Sequence, residues 1–314
     1  MEKISVVIPC YRSEEFIEAT VNEIVGVLSG MNGYDYEIIL VSDGSPDKVF
    51  DRILGMSKKN PRITGLELSR NFGQHVALIA GYREATGNYV VSMDDDGQTP
   101  ASGIPIMLNK LQDGYDVVYA KYPKSKQTGF RRCGSKINQT FISWGLAKPK
   151  SIITSSFFVM RKFICDEIKK TVVTYPYVAG LVFRITSNVG NAIVEHNDRV
   201  GGKSGYSLGK LFSLWLNGLT TFSIKPLRIA TFTGTIVAIA GFVGMIFVFV
   251  NRFINPEAPL GYSSTMTVML FLGGIIMLML GMIGEYIGRV FISVNNTSQY
   301  VVRNRTDEEQ NGDD

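Results

Sequence analysis

Through its first 120 residues the chain alternates between short apolar runs and longer stretches whose apolar positions recur every three or four residues. Runs of the first kind are typical of buried strands, and stretches of the second kind are typical of amphipathic helices. This alternation predicts an α/β fold with a mixed, mainly parallel sheet and helices on both faces. Strands are predicted at 4–9, 37–41, 63–68, 89–93 and 117–119, and helices at 14–28, 72–85 and 104–112.

A further helix is predicted after the second strand, with Ser45 as its N-cap and Pro46 as its first residue. Serine is a preferred N-cap because its hydroxyl accepts a free backbone N–H, and proline suits the first helical position.

Two long apolar stretches lie in the C-terminal third. Residues 229–250 and 258–284 contain no charged side chain, and each is long enough to cross a hydrocarbon core about 30 Å thick. We therefore predict two transmembrane helices, at about 229–250 and 264–284, after an amphipathic interfacial segment. The predicted parts are an α/β domain (1–206), the interfacial segment (207–228), a transmembrane hairpin (229–288) and a tail (289–314).

Basic residues flank the two apolar stretches on their outer sides, whereas the linker between them holds one base and one acid. The positive-inside rule then predicts a multi-pass protein of the cell membrane, with the α/β domain and both termini in the cytoplasm. A basic body beside a membrane favours anionic lipid headgroups or phosphates as partners. Nucleic acid is not an expected partner, because the sequence has no basic helix with interleaved aromatic residues. The acidic end, 307–314, is predicted to be solvated and disordered.

The strongest chemical signal is a cluster of three acids, Asp94, Asp95 and Asp96, which follows the strand at 89–93 and precedes Gln98. Carboxylates crowded at a strand end repel one another unless a cation lies between them. Oxygen ligands suit Mg²⁺ or Mn²⁺, which are commonly shared with substrate phosphates. The sequence thus predicts a nucleotide-diphosphate site, although a loop cap or solvated turn is the alternative for the acids.

Other polar residues follow two further strands. Pro9 and Tyr11 come at the end of the first strand, and Asp43 at the end of the second. Ligands of such sheets bind outside the carboxyl ends of the strands, so these residues are expected to meet the acids at one rim. Asp43 has two equal interpretations: it caps the following turn, or it accepts a hydrogen bond from a nucleotide base or ribose.

Two basic, glycine-containing segments, 121–150 and 195–206, offer candidate phosphate contacts. Beside a diphosphate or a lipid phosphate, their arginine and lysine side chains would hold the negative charge. A solvated surface is the alternative for the basic residues near 121–136.

Taken together, four segments resemble the family-2 glycosyltransferases of GT-A (Rossmann-like) fold. More narrowly, residues 72–74, residues 284–289 and the two apolar stretches resemble the polyprenyl-phosphate glycosyltransferases. That branch includes dolichol-phosphate mannose synthases and undecaprenyl-phosphate aminoarabinose transferases. The four segments are 8–11 (Ile-Pro-Cys-Tyr), 42–45 (Ser-Asp-Gly-Ser), 69–73 (Ser-Arg-Asn-Phe-Gly) and 94–98 (Asp-Asp-Asp-Gly-Gln).

The resemblance implies a role for each matching residue. The implied ligands of Mg²⁺ or Mn²⁺ are Asp94, Asp96 and Gln98. The residues implied to bind the nucleotide-sugar donor or its phosphates are Pro9, Tyr11, Asp43, Asp94, Asp95, Lys121 and Lys203. Those implied to act in catalysis are Asp96, Arg131 and Arg199.

The implied reaction is inverting transfer of a sugar, with UDP the expected carrier, to polyprenyl (undecaprenyl) phosphate at the cytoplasmic membrane face. Three positions depart from the family pattern: Ser13, Ser42 and Phe158. Ser13 and Ser42 bear on which nucleotide base the site prefers. Phe158 leaves one contact to the acceptor phosphate without an assigned residue. A processive polysaccharide synthase and a non-catalytic nucleotide-sugar-binding membrane protein are the alternatives. Family analogy and the glycine-rich apolar stretches also permit a homo-oligomer.

Overall fold

The computed structural model describes residues 1–122, 149, 151–173, 176–195, 225–254, 261–294 and 298–310. The chain divides into two compact units, Met1–Ser207 with Ser298–Asp314, and Leu208–Thr297. The strands are β1 (Glu2–Cys10), β2 (Tyr34–Ser42), β3 (Ile63–Leu68), β4 (Tyr89–Ser92), β5 (Val117–Lys121), β6 (Phe158–Arg161), β7 (Val189–Ile193) and β8 (Val302–Arg305). The helices are α1 (Ile17–Ser29), α2 (Val49–Lys59), α3 (Gln74–Glu84), α4 (Gly103–Gln112), α5 (Lys162–Lys169), α6 (Val178–Ile185), α7 (Lys225–Ile254), α8 (Tyr262–Val294) and α9 (Thr306–Gln310).

All eight strands form one sheet in the order β7-β5-β6-β4-β1-β2-β3-β8. The central strands β4, β1, β2 and β3 run parallel, as do β5 and β7. β6 pairs antiparallel with both β4 and β5, and β8 pairs antiparallel with β3. The prediction of a mixed, mainly parallel α/β sheet is confirmed, and β4, β1 and β2 are neighbours whose carboxyl ends lie at the same rim.

Helices cover both faces of the sheet because alternate strand residues point to opposite sides. On one face, apolar residues of β1 and β2 such as Ile4 and Ile38 join a core with α1, α2 and α4. On the other face α3 comes very close to the sheet at Gly81, where a Cβ atom would lie 2.4 Å from Val7 Cγ1. A side chain larger than hydrogen at this position would push α3 away from the strands that carry the rim.

Most predicted elements of the first 120 residues are present, and β3 has the predicted bounds. The predicted start of α2 is wrong. The helix begins at Val49, and the Ser45 hydroxyl instead donates to Asp47 and accepts the backbone N–H of Arg12. Ser45 therefore joins the loops after β2 and β1, a long-range contact that competes with helix capping.

Part of the end predicted to be disordered, 307–314, is helical, since residues 307–310 belong to α9, whereas 311–314 lie outside the described residues. Residues 302–305 form β8 on the edge of β3, and residues 306–310 form α9. The interior anchor is Thr306, which is 2% exposed and whose hydroxyl accepts the backbone N–H of Gly65 at 2.9 Å. α8 continues to Val294, within the predicted tail 289–314. β8 was not predicted because the sequence Val-Arg-Asn-Arg lacks the apolar run of a buried strand.

α7 and α8 occupy the region of the two predicted membrane spans. By length and composition, residues Phe271–Gly288 of α8 could cross a membrane, whereas the apolar segment found in α7, Phe232–Gly244, is shorter. By this measure the described residues contain one of the two predicted spans, so the two-span hairpin stays a prediction. Most of the predicted interfacial segment, 207–224, lies outside the described residues.

Candidate functional site

A cavity of about 640 Å³ opens at the carboxyl ends of β1, β2 and β4. It brings together most of the polar residues that the sequence placed at this rim. The predicted residues that line it are Pro9, Tyr11, Asp43, Asp94, Asp95 and Asp96. The residues that line it without having been predicted include Arg12, Ser13, Asn71, Gly73, Gln74 and Ser156.

Asp43 organises the loop after β3. Its two carboxylate oxygens accept the backbone N–H groups of Phe72 and Gly73 at 2.7 and 2.8 Å. Burial raises the pKa of Asp43, and these two hydrogen bonds oppose the rise. Of the two interpretations left open by the sequence, the structure shows a carboxylate that holds backbone N–H groups, but those of residues 72 and 73 rather than of its own turn. We call residues 70–73 the donor loop, after the backbone N–H groups that donate to Asp43.

Gly44 lets the turn after β2 come against the donor loop. Its φ angle is +56°, and a Cβ atom would lie 2.2 Å from the carbonyl carbon of Arg70. Only glycine combines this backbone conformation with so close an approach. The neighbouring Ser42, a departure from the family pattern, is buried as the last residue of β2.

Asp95 holds the loop after β1. Its carboxylate accepts the backbone N–H of Tyr11 at 3.0 Å, beside Arg12, whose φ of 57° is rare for a residue with a side chain. Such strain persists only where the surrounding contacts fix it, and it is commonest at functional sites. Burial raises the pKa of Asp95 to about 6, despite the hydrogen bonds that it accepts. Asp95 therefore orients the backbone of the loop after β1. Its neighbours Asp94 and Asp96 make different contacts.

Asp94 receives a hydrogen bond on each carboxylate oxygen. Gln74 Nε2 donates to Oδ1 at 2.8 Å, and the Ser156 hydroxyl donates to Oδ2. Burial raises the pKa of Asp94, and the negative charge of Asp96 raises it further against the hydrogen bonds from Ser156 and Gln74. Two donors from α3 and from the segment before β6 thus fix this carboxylate in one orientation.

Asp96 is bonded to its own turn. Its carboxylate accepts the backbone N–H of Gln98 at 3.1 Å and a hydrogen bond from the Gln98 side-chain amide. Gln98 therefore contacts one predicted metal ligand directly, although it does not line the cavity among the described residues.

The acids fit a divalent cation in charge and in donor type. Within the described part of the chain no lysine or arginine forms an ion pair with Asp94 or Asp96. The nearby His75 is neutral, because burial lowers its pKa to about 4. The Asp94 carboxylate, whose charge is opposed by burial, and the Asp96 carboxylate beside it are hard oxygen ligands of the kind that Mg²⁺ and Mn²⁺ prefer. Across the same described residues there is no group of three or more histidine, cysteine, aspartate or glutamate side chains arranged for a metal, so a cation here would need ligands of another kind as well.

The predicted basic contacts are mostly outside the described residues. Arg131, Arg199 and Lys203 all lie there. Lys121 ends β5 with an exposed side chain and is not among the described residues that line the cavity. Phe158, which stands where the family often has arginine, is buried in β6 against Tyr119.

Gln74 and Ser156 could not be assigned from sequence spacing, since they lie 20 and 62 residues from Asp94. Their segments did stand out through family resemblance, but that resemblance gives no contact. Only the pairing of β6 beside β4 brings Ser156 to the acid.

Replacing Ser156 by alanine is expected to weaken Mn²⁺ binding about tenfold, because partners that orient a metal ligand contribute on that scale. Titration of the purified full-length protein with Mn²⁺, followed by the electron paramagnetic resonance signal of free Mn²⁺, measures the change. Ser155→Ala is the matched control, since the Ser155 hydroxyl donates to the Phe157 carbonyl at 2.7 Å and not to an acid. Equal Mn²⁺ affinities in the two variants would show that Ser156 does not orient a metal ligand.

Comparison with known proteins places the geometry in a family. Residues 5–169 match the family described as Glycosyl transferase family 2, and residues 225–290 match the family described as GtrB C-terminal hairpin. The chain is 33% identical to "Uncharacterized glycosyltransferase YkcC" of Bacillus subtilis, over 95% of this chain and 93% of that protein. It is 31% identical to "Prophage bactoprenol glucosyl transferase homolog" of Escherichia coli, over 96% and 98% of the two chains.

Solved structures support the fold. Glucosyl-3-phosphoglycerate synthase from Mycobacterium tuberculosis, in complex with Mn²⁺, UDP-glucose and phosphoglyceric acid, superposes with a TM-score of 0.52. That match covers 70% of this chain and 78% of the other, at 15% sequence identity. Similarity at this level shows a shared GT-A-like α/β fold.

Proposed function

The chain belongs to glycosyl transferase family 2, and from that premise we propose that it transfers a sugar from a nucleotide-diphosphate sugar to a polyprenyl phosphate. The observation that carries the proposal is the cavity at the carboxyl ends of β1, β2 and β4, into which Asp94 and Asp96 both face. Relatives that match nearly the whole chain are named bactoprenol glucosyl transferases, which supports a polyprenyl phosphate as acceptor.

The donor half of the site is built from three loops. Asp43 fixes the donor loop, Asp95 fixes the loop after β1, and Gln74 with Ser156 fixes Asp94. Asp94, Asp96 and Gln98 would hold Mg²⁺ or Mn²⁺, which when bound would neutralise negative charge on the departing diphosphate. We assign Pro9 and Tyr11 to the nucleotide, since both line the cavity at the end of β1.

The acceptor needs no dedicated general base. A phosphate monoester has a second pKa near 6, so the attacking oxygen already carries negative charge at neutral pH. The task left to the protein is to hold two anionic substrates in line, and basic side chains perform it. We assign this task to Lys121, Arg131, Arg199 and Lys203, of which only Lys121 belongs to the described residues. In-line attack by the phosphate oxygen would invert the anomeric centre.

The membrane arrangement that we propose follows from the C-terminal third. Residues 225–290 match the GtrB C-terminal hairpin, which supports two spans at about 229–250 and 264–284. By the positive-inside rule, the basic flanks support a cytoplasmic location for the catalytic unit and both termini. A polyprenyl phosphate would then present its headgroup at the membrane surface from which the catalytic unit works.

A product assay tests the proposal directly. Membranes containing the protein are incubated with Mn²⁺, undecaprenyl phosphate and a panel of UDP- and GDP-sugars, and the lipid extract is identified by mass. We expect one sugar residue per lipid phosphate. Nuclear magnetic resonance should show that the sugar in the product has the opposite anomeric configuration to that in an anomerically pure donor. Retained configuration would contradict direct attack by the phosphate. A polymer would indicate a processive synthase, and the absence of a lipid product with every sugar would favour a non-catalytic binding protein.

A further inference from the structure

The last described segment of the chain, residues 298–310, folds back along the edge of β3 and contacts the end of α3. We call it the C-terminal strap. Its strand β8 pairs antiparallel with β3, placing Arg305 opposite Leu66 and Asn304 opposite Glu67. The Asn304 side chain also donates to Glu67 Oε2 at 2.7 Å. The strap therefore covers an edge that would otherwise present unpaired backbone groups to solvent.

Two contacts anchor the far end of the strap. Arg305 donates through both terminal nitrogens to the two carboxylate oxygens of Glu84, at 2.8 and 3.2 Å. This two-point contact fixes orientation as well as distance. Thr306, buried beside Gly65, completes the anchor. The strap is thus held to both β3 and the end of α3.

The near end of the strap holds Ser69 through both of its backbone groups. The Ser69 N–H donates to the Val301 carbonyl at 2.9 Å, and the Ser69 carbonyl accepts a hydrogen bond from Arg303 Nη2 at 3.0 Å. Ser69 directly precedes the donor loop, so these contacts fix the point at which that loop leaves β3.

The donor loop is consequently held from two sides. Asp43 holds Phe72 and Gly73 from within the cavity, while the strap holds Ser69 from the outer edge. The loop supplies Asn71 and Gly73 to the cavity wall, and it leads into Gln74, which donates to Asp94. Loosening either attachment would shift groups that face the bound donor.

We propose that the C-terminal strap positions the donor loop, and that Arg303 is a positioning residue for binding of the nucleotide-diphosphate donor. The inference rests on the proposed function, because it takes the cavity to be the donor site. Among the described residues, the polar partners of Arg303 are the Ser69 carbonyl and Glu67, at 4.0 Å, and neither residue lines the cavity. We take Arg303 to act through the Ser69 backbone. The effect should therefore fall on donor binding and leave the chemical step largely unchanged.

The test compares two arginines whose contacts lie at opposite ends of β3. Arg303 contacts Ser69 just after β3, and Arg62 pairs with Asp35 just before it, at 3.3 Å. Their side chains are similarly exposed, 58% and 54%. UDP and GDP binding to the full-length protein with Mn²⁺ is measured by calorimetry, and KM for the donor and kcat are measured in the lipid-product assay.

Arg303→Ala is expected to weaken nucleotide binding about fivefold and raise the donor KM similarly, since the charge-assisted hydrogen bond to the Ser69 carbonyl, which fixes the start of the donor loop, is lost. The value of kcat should stay within about twofold of wild type. Arg303→Lys keeps a cationic donor and should recover most of the affinity, whereas Arg62→Ala should bind nucleotide as the wild type does.

Three results separate the inference from the function on which it rests. If the wild type binds nucleotide and the Arg303→Ala and Arg62→Ala variants bind it with equal affinity, only the role of the strap is overturned. A fall in kcat with unchanged KM and affinity would also overturn it. A wild-type protein that binds neither UDP nor GDP would overturn the proposed donor site and the inference together.

Discussion

Asp96→Ala should lower turnover by about a thousandfold, because removing one ligand of a charge-stabilising centre costs several kcal/mol in the transition state. Asp96 faces the cavity beside Asp94, and its negative charge already raises the pKa of that neighbour. Removing the Asp96 carboxylate would leave a single acid for the cation. The lipid-product assay at saturating Mn²⁺ measures the loss.

The fold should survive this change. Asp96 is half-buried, and within the described part of the chain its hydrogen bonds are to Gln98 in the same turn. Removing its charge also relieves repulsion with Asp94. The variant should therefore reach the membrane and unfold near the wild-type temperature, while its Mn²⁺ affinity falls.

Asp113→Ala is the matched control. Asp113 is an exposed acid after α4 whose described partner is Lys110, at 2.8 Å. Such a surface pair contributes little to stability. Neither Asp113 nor Lys110 is among the described residues that line the cavity. Wild-type turnover in Asp96→Ala would refute its assignment as a metal ligand, and an equal loss in both variants would point to a general effect of removing acids.

The rim of the sheet was predictable because strand ends are local features. The apolar runs that end at Pro9, Val41 and Met93 fix where three parallel strands stop. Parallel strands that are joined by helices place those ends at one edge. Composition and order along the chain were therefore sufficient to bring Asp43 and Asp94–Asp96 together.

The contacts that orient those residues were not predictable in the same way. Asp43 holds backbone groups about 30 residues away, and Ser156 reaches Asp94 through an antiparallel strand that interrupts the parallel order. Arg303 of β8 lies 234 residues along the chain from Ser69, whose carbonyl accepts its hydrogen bond. Hydrophobic periodicity carries no information about such distant polar pairs, since it reports only which face of an element is buried.

Asp43→Asn should lower kcat/KM by about a hundredfold, because a displacement of about 1 Å in a positioning loop has effects on that scale. An asparagine keeps one acceptor oxygen and places an NH₂ group where the second oxygen was. That NH₂ group would face the N–H of either Phe72 or Gly73, so two donors would meet. The donor loop must then move, and Gln74 at its end would shift relative to Asp94.

The same change should lower the free energy of unfolding by about 1–3 kcal/mol, because a half-buried N–H loses its acceptor. Stability alone could therefore explain a loss of activity, and a matched carboxylate separates the two effects. Glu37 accepts the Thr86 backbone N–H at 2.7 Å and the Ser5 hydroxyl at 2.6 Å. It lies near the amino ends of β1 and β2, at the opposite rim from the cavity.

Glu37→Gln should cost comparable stability while leaving donor affinity and kcat/KM near their wild-type values. Thermal unfolding of both variants, together with the donor KM, provides the comparison. A stable Asp43→Asn protein with wild-type kcat/KM would show that the donor loop keeps its position without the carboxylate. Equal losses of kcat/KM in the two variants would mean that global stability limits the activity. A large loss confined to Asp43→Asn would assign the effect to the loop, because the backbone N–H groups that Asp43 holds lead directly to Gln74, which donates to Asp94.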